Sequence, residues 1–505
     1  MSRLYKQQVV NQINSWDIFD TLLFRLCKDP IEIFKQVENK FPSFVEHRIA
    51  SEKKNGLSFD TIYETMKSLY GYSDSVISEM KQEEFKAELN NIYPIVAMIE
   101  QVKPEDILVS DMYYSESIIR LFLQKSGTKL NNKIFVSSGG KSTGVIWNVI
   151  RNMGYSIRKH TGDNPVSDGK IPEKLGIPSR LVNISEYTPI EKMICENVSK
   201  DLSNIMRYVR LLCPVPKDAN EASWYILQSQ YNIPILIAYA NIIHKKYEGK
   251  VKYFVARDTY YLYKIYRILY PDDECEYVYS SRMSLYFPTE DFIGYMKGLF
   301  DKHNDAIWID LHGSGMSFNS FFTKYVGEVP KIYFCIGSSN TLQNVESIMV
   351  SNDYIEVLNE PLENSLIFYE KDSIKTIDSS INNYRFFTKY CMTNLLRIIK
   401  NIELEDISSI DLIKNLYSSI NYSQVPYKNL HSVYHYDDAL KTLEDNSPKT
   451  HLLLFGTDGL DGGINLTNES NFIASNIGSS FDVVVQLTPS NSKHLGVDFG
   501  LFYKD

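Results

Sequence analysis

Four short apolar segments in the first 170 residues each run out into a polar turn, and stretches of helical periodicity separate them. That alternation predicts parallel strands joined by helical crossovers, with the polar residues gathered at the carboxyl edge of one sheet. The first segment is Ser15-Trp16-Asp17-Ile18-Phe19-Asp20-Thr21-Leu22-Leu23, where Asp17 stands at the strand end with the Thr21 hydroxyl nearby. The second, Asp106-Ile107-Leu108-Val109-Ser110-Asp111, ends in a hydroxyl and an acid. The third, Lys133-Ile134-Phe135-Val136-Ser137-Ser138, leads into Gly139-Gly140-Lys141-Ser142-Thr143-Gly144. The fourth begins at His160 and carries Gly162-Asp163 and Asp168 around a turn.

Each segment has an ordinary reading. A strand-end carboxylate is a common loop residue, Ser110 can be a helix cap, and turns are rich in Asp. A lysine after glycines at a helix start suits anion binding, although this is not a P-loop, because Phe135 stands where that motif needs glycine. Together the four supply what attack on phosphorus requires. Asp17 would be the nucleophile. Asp163 and Asp168 would hold a divalent ion through oxygen ligands. Lys141 and Ser110 would hold the phosphoryl oxygens, on which charge builds during transfer.

The order and wording of these segments resemble the haloacid dehalogenase-like superfamily over roughly residues 12 to 190. The resemblance implies Asp17 as nucleophile and Lys141 as a phosphate contact in the catalytic group, to which Asp20 is added as a candidate. It further implies phosphate or substrate contacts from Thr21, Ser110 and Asp111. The metal site would be Mg2+ held by Asp17, the backbone carbonyl of Phe19, Asp163 and a supporting Asp168. Phosphatases of that superfamily carry a second Asp two residues after the nucleophile; here that position is Phe19, and the acid comes one residue later, at Asp20. Loss of a positioned acid/base costs about 10²–10⁴ in rate. The retained Asp163 and Asp168 favour phosphate over halide as the substrate class.

Between the first two segments, Ile33, Phe34, Val37 and Phe41, then Phe59, Ile62, Met66 and Leu69, fall at amphipathic helical spacing, with Ser58 as a predicted N-cap. This block, about 27–92, reads as a helical cap or as a plain helical subdomain.

A net charge of −9, with no block of consecutive Lys or Arg, argues against nucleic acid as a partner. Six cysteines without a CxxC pair argue against structural zinc and a disulfide framework. The first residues lack the apolar core of a signal peptide, and the longest apolar run, 233–240, is too short to span a bilayer. The expectation is a cytoplasmic protein.

The prolines in Cys213-Pro214-Val215-Pro216 suggest a boundary, after which strand-like runs recur at 252–256, 276–279, 306–310 and 331–335. Arg257-Asp258, Ser281-Arg282 and Asp310-Leu311-His312-Gly313-Ser314-Gly315 follow three of them. Arg257, Arg282, Asp310 and Ser314 would bind a phosphorylated or sugar-nucleotide ligand; an Arg257–Asp310 ion pair beside a tight turn is the other reading. The pattern is vaguely similar to domains of bacterial surface-polysaccharide proteins. Residues 400–445 read as polar helix, and the chain from His451 onward as strands and turns around Gly459–Gly463.

The expected fold is α/β: a Rossmann-like parallel sheet with a helical cap over 1–200, a second α/β domain over 201–445, and a β-rich tail over 446–505. The expected activity is magnesium-dependent phosphohydrolysis or phosphotransfer on a small phosphorylated metabolite, such as a sugar phosphate or nucleotide sugar. The alternative is a phosphate-binding domain that has lost turnover, attached to a transferase-like or ligand-binding domain. Oligomeric state is open.

Overall fold

The computed structural model describes residues 12–281 and, from there to 420, all but 282–283, 286–287, 340, 343–344, 353, 362–364, 371–372, 378–382, 403 and 405; beyond 420 it describes strands 452–454, 483–489 and 497–503. Arg282 and the glycine-rich 459–463 turn therefore lie outside the described residues. The chain divides into two compact α/β units, Met1–Pro216 and Lys217–Asp505.

The first unit is built on a five-stranded parallel sheet. Its strands are β1 (Gln12–Asp17), β4 (Ile107–Ser110), β5 (Lys133–Val136), β6 (Ser156–Gly162) and β7 (Ser179–Leu181), in the spatial order β5-β4-β1-β6-β7. A short antiparallel pair, β2 (Leu23–Arg25) with β3 (Ile92–Pro94), forms a separate two-stranded sheet. β1 is central, so residues 13–17 are buried on both faces, as a covered parallel strand should be. The Asp106 carboxylate fixes its start by accepting from Asn14 N (3.0 Å) and Trp16 Nε1 (2.9 Å). One face packs Ile13, Ile107, Val109 and Phe135 against Ile146, Trp147 and Ile150 of the helix Val145–Asn152. Large apolar side chains of this kind each contribute about 1.5–3 kcal/mol when fully buried.

Counted along the sheet's own strands, this is the order 3-2-1-4-5. The connections reverse direction between β1 and β6, which is where open α/β sheets leave a crevice for ligands.

Four helices follow β2: α1 (Ile31–Glu38), α2 (Phe44–Asn55), α3 (Phe59–Tyr70) and α4 (Asp74–Asn91). Ser58 caps α3 as expected, accepting from Thr61 N, and Phe59, Ile62 and Met66 are buried while Leu69 stays exposed. A fully buried ion pair holds the block together: Arg48 of α2 donates to both Glu84 oxygens (2.7 and 3.0 Å), and Tyr63 Oη donates to Glu84 (2.6 Å). Two bonds tie the block to the loops at the sheet's carboxyl edge. Phe59 N donates to Tyr113 O (2.9 Å), and Ser138 Oγ donates to Gly56 O (2.6 Å).

The second unit has its own parallel sheet: β8 (Lys252–Val255), β9 (Cys275–Val278), β10 (Ile307–Gly313), β11 (Lys331–Gly337) and β12 (Glu346–Val350), ordered β12-β11-β10-β8-β9. This is the order 2-1-3-4-5, with its reversal between β8 and β10. Tyr253, Val255, Trp308, Ile332 and Phe334 form one apolar face of it, packed against helices Glu290–Lys302 and Met316–Tyr325. The apolar run at 233–240 lies in the helix Ile233–Lys246, buried at every position from 233 to 243. Among the described residues, no helix is long and apolar enough to cross a membrane. Near the chain's end, strands at 452–454, 483–489 and 497–503 form a small mixed sheet.

Asp310, expected at a strand end, lies inside β10, which continues three residues further to Gly313. Two edge strands carried no readable strand signal. β7 is three residues long and half exposed, and β12 reads Glu-Ser-Ile-Met-Val.

Candidate active site

Asp17 is the last residue of β1, and its neighbour in register on β4 is Val109, so Ser110 lies one position further out at the same edge. On the other side, Trp16 pairs with Thr161 of β6, which brings Gly162 and Asp163 to the crevice. Asp17 is buried, and its carboxylate accepts from Lys141 Nζ; the same ammonium donates to Asp168 Oδ1 at 2.6 Å. Carboxylate oxygens of Asp17, Asp163 and Asp168 lie within 4.8 Å of one another.

Lys141 sits in a single helical turn, Gly140–Thr143, whose N-terminus is held from the residue that follows β4. Asp111 accepts from Lys141 N (2.7 Å) and Ser142 N (3.4 Å). Asp111 therefore fixes the lysine's backbone, and its side chain acts on the site through that turn. Gly140 must lack a Cβ, because one would overlap the Ser137 side chain. Ser110 Oγ accepts from Met112 N (3.3 Å), which leaves its own proton to donate.

The support of Asp168 was not legible in the sequence. Register places Ser15 directly opposite His160, so their side chains share a face of the sheet. His160 Nδ1 lies 2.9 Å from Ser15 Oγ, and Nε2 lies 3.0 Å from Asp168 Oδ1. A carboxylate only accepts, so Nε2 carries the proton and Nδ1 receives that of Ser15. Burial lowers the His160 pKa and keeps the ring neutral. Asn164 N donates to Asp168 Oδ2 (3.0 Å), so both carboxylate oxygens are fixed. The strand's period of two puts Gly162 on the same face as His160. The one available signal was that pairing: a histidine two residues before a Gly-Asp turn.

A Cβ at Gly162 would fall inside the Asp168 carboxyl group. Gly162→Ala should therefore displace Asp168 and lower divalent-cation affinity by about 10–100-fold, the usual cost of losing a ligand's support. Calorimetric titration of Mg2+ checks this, and unchanged affinity in a folded variant would refute it.

The electrostatics call for a cation. Burial, opposed by Lys141 and reinforced by Asp168 and Asp163, holds the Asp17 carboxyl well above the usual carboxylate range. Burial, then the charges of Asp20 and Asp168, push Asp163 up to about 6. Asp168 is pushed up by burial too, but bonds from His160 and Lys141 outweigh this and hold it at about 2. Three carboxylates face one ammonium, a formal excess of two negative charges. An all-oxygen donor set with that excess fits a hard divalent cation. Thr21 Oγ1 and Thr161 Oγ1, both buried, have no hydrogen-bond partner among the described residues.

The two side chains after Ile18 make contacts of their own. The Phe19 ring packs edge-on against Phe122 (6.1 Å) with the Arg25 guanidinium over its face (4.9 Å). Asp20 adopts a left-handed backbone (φ 58°), accepts from Ser185 Oγ (2.7 Å) and faces Arg207 Nη2 at 3.6 Å. In the second unit, Arg257 Nη2 lies 3.2 Å from Glu360, and its Nε lies 3.7 Å from Asp258; Ser314 Oγ accepts from Met316 N (3.3 Å).

No protein-family model matches the chain. No curated protein matches it either. Among solved structures, an L-2-haloacid dehalogenase from Xanthobacter autotrophicus, with chloropropionic acid covalently bound, is similar over 37% of this chain and 83% of that one. The identity is 12% and the TM-score 0.26, a likeness too distant to speak for the chemistry.

Proposed function

We propose that the first unit is a magnesium-dependent phosphohydrolase or phosphotransferase with Asp17 as nucleophile, acting on a small phosphorylated metabolite in the cytoplasm. The observation that carries this reading is Lys141 bridging Asp17 and Asp168 at the sheet's reversal point, with Asp163 alongside. The resemblance of the four motifs to the haloacid dehalogenase-like superfamily supports it. In this reading 1–200 is the catalytic domain, and the block at 27–92 is a cap over its crevice.

Asp17, Asp163 and Asp168, with the Phe19 carbonyl, would hold the ion. When bound, it would offset repulsion between a carboxylate and a phosphoryl dianion. The chain's own groups do the rest. An Asp17 oxygen attacks phosphorus, the bond to the leaving oxygen breaks, and an aspartyl phosphate forms; water or an acceptor hydroxyl then takes the phosphoryl group. Lys141 and Ser110 donate to the equatorial oxygens as charge spreads over them. His160 and Asn164 keep Asp168 in place, and Asp111 keeps Lys141 in place.

The weak part is proton delivery. An apolar ring occupies the usual acid position, and Asp20 is turned toward Ser185 and Arg207. Rates should therefore favour leaving groups that need no proton, with an aryl phosphate turning over about 10²–10⁴ faster than glycerol phosphate. Phosphate release with and without Mg2+ tests both parts. Equal rates on the two substrates would show that Asp20 or another group delivers the proton, and no release from either would refute the activity. The same two side chains favour the second reading, a phosphate-binding domain without turnover, which would bind phosphate with Mg2+ yet release none.

A further inference from the structure

The chain from Ser110 to Tyr114 serves the crevice at one end and the cap at the other. Ser110 Oγ accepts from Met112 N, and Asp111 accepts from the turn that carries Lys141. Two residues on, Tyr113 O accepts from Phe59 N (2.9 Å) at the start of α3. The Tyr113 ring stacks on Phe59 (centroids 6.0 Å apart, planes 11° apart), and the Arg48 guanidinium lies over its face at 5.0 Å. Arg48 itself is fully buried in the cap. It lies over the ring of Phe34 at 4.8 Å and donates to Glu52 (2.6 Å) and to both Glu84 oxygens (2.7 and 3.0 Å). The Tyr113 ring is thus seated on a cation that the cap holds by three hydrogen bonds.

The apolar contacts run the same way. Phe59 packs on Tyr114 (5.0 Å), Tyr114 on Phe122 of the helix Glu116–Lys125 (5.2 Å), and Phe122 on Phe85 of α4 (6.0 Å). Both ends of that row belong to the cap and its middle to the sheet's own domain; Phe59, Tyr114 and Phe122 are 4%, 1% and 0% exposed. The turn after β5 is tied as well, because Ser138 Oγ donates to Gly56 O one residue before Gly139. Swinging the cap away would wet these rings, break both backbone ties and uncover the Arg48–Glu84 pair, all at once. Lids that open in each cycle are drawn from the weakly held parts of a protein, and this contact is of the opposite kind. Ser142, beside Lys141, is exposed and Asp163 is half-buried with the cap in place.

We propose that the cap is a fixed brace and not a lid. Docked on Tyr113 and Ser138, it keeps the loop that follows Ser110 and the turn that carries Lys141 in place, and Tyr113 is the positioning residue. The consequence for phosphate binding rests on the reading of Ser110 and Lys141 as phosphoryl contacts; the bracing itself does not.

Hydrogen exchange and calorimetry on the full chain test this. In the wild type, with or without Mg2+ and inorganic phosphate, the Phe59 amide should exchange within about tenfold of the β1 amides, because only unfolding of the unit releases it. In Tyr113→Ala the Lys141 amide should exchange at least about tenfold faster than in the wild type, relative to β1 amides in the same sample. Inorganic phosphate, titrated at saturating Mg2+, should bind that variant at least about tenfold more weakly, while Mg2+ affinity falls less than about threefold, since Asp17, Asp163 and Asp168 lie on other elements. Tyr113→Phe keeps the ring and should match the wild type throughout. Were Tyr113→Ala not to fold, Ser138→Ala would carry the same test with effects of about threefold. The brace is overturned if the wild-type Phe59 amide exchanges more than about tenfold faster than β1, if the Lys141 amide is unmoved in the folded variant, or if Mg2+ affinity falls as far as phosphate affinity. A wild type that binds no phosphate would refute the phosphate reading, and the exchange rates would still decide the brace.

Discussion

Replacing Lys141 with Met should cost the first unit about 3–5 kcal/mol, because removing one partner of a buried ion pair leaves the other uncompensated. The Lys141 side chain is 3% exposed, and those of Asp17 and Asp168 are 7% and 1% exposed, so water cannot replace the ammonium. For a unit of this size the loss corresponds to a fall in melting temperature of roughly 6–20 °C. Met keeps the length and apolar bulk of the side chain, so the effect isolates the charge. Mg2+ should restore part of the stability, since a divalent ion can take over the neutralisation that the ammonium provided. Thermal melts of wild type and Lys141→Met, each with and without Mg2+, check both statements. A variant that melts within a degree or two of wild type would mean that the three charges are not coupled as described.

Asp17→Asn should act in the opposite way on the two observables. Phosphate release should fall by at least about 10⁴, because an amide is not a nucleophile toward phosphorus and Asp168 is held by His160, Asn164 and Lys141. Stability without metal should hold or rise. The Asn oxygen can still accept from Lys141, and a carboxyl group whose ionised form burial disfavours is gone. Turnover within a few-fold of wild type would end the proposed mechanism. A large loss of melting temperature would show that Asp17 is needed for the fold.

The meeting of Asp17, Lys141, Asp163 and Asp168 was legible because each follows an apolar run that could only be a strand, and topology then brings strand ends together. What holds these residues was not legible. His160 reaches Asp168 only because β6 lies beside β1 in the register that pairs it with Ser15, and no local pattern announces a register. Asp111 read as a ligand contact, yet its oxygens accept from the turn that carries Lys141, a role visible only once β4 and that turn are adjacent. In the second unit two readings were open, arginines converging on a phosphorylated or sugar-nucleotide ligand or a structural ion pair, and Arg282 lies outside the described residues. Arg257 faces Glu360, 103 positions later in the chain, and such a pairing leaves no local trace.

The central place of β1 also has a consequence for biosynthesis. Its partner β6 lies far along the chain, with Ser15 and His160 separated by 145 residues. At translation rates of about 5–20 residues per second, roughly 7 to 30 s pass between the appearance of one strand and the other. During that interval a strand made for burial on both faces has an unpaired edge toward β6. The nascent first unit is therefore expected to be a chaperone client until β6 has been made.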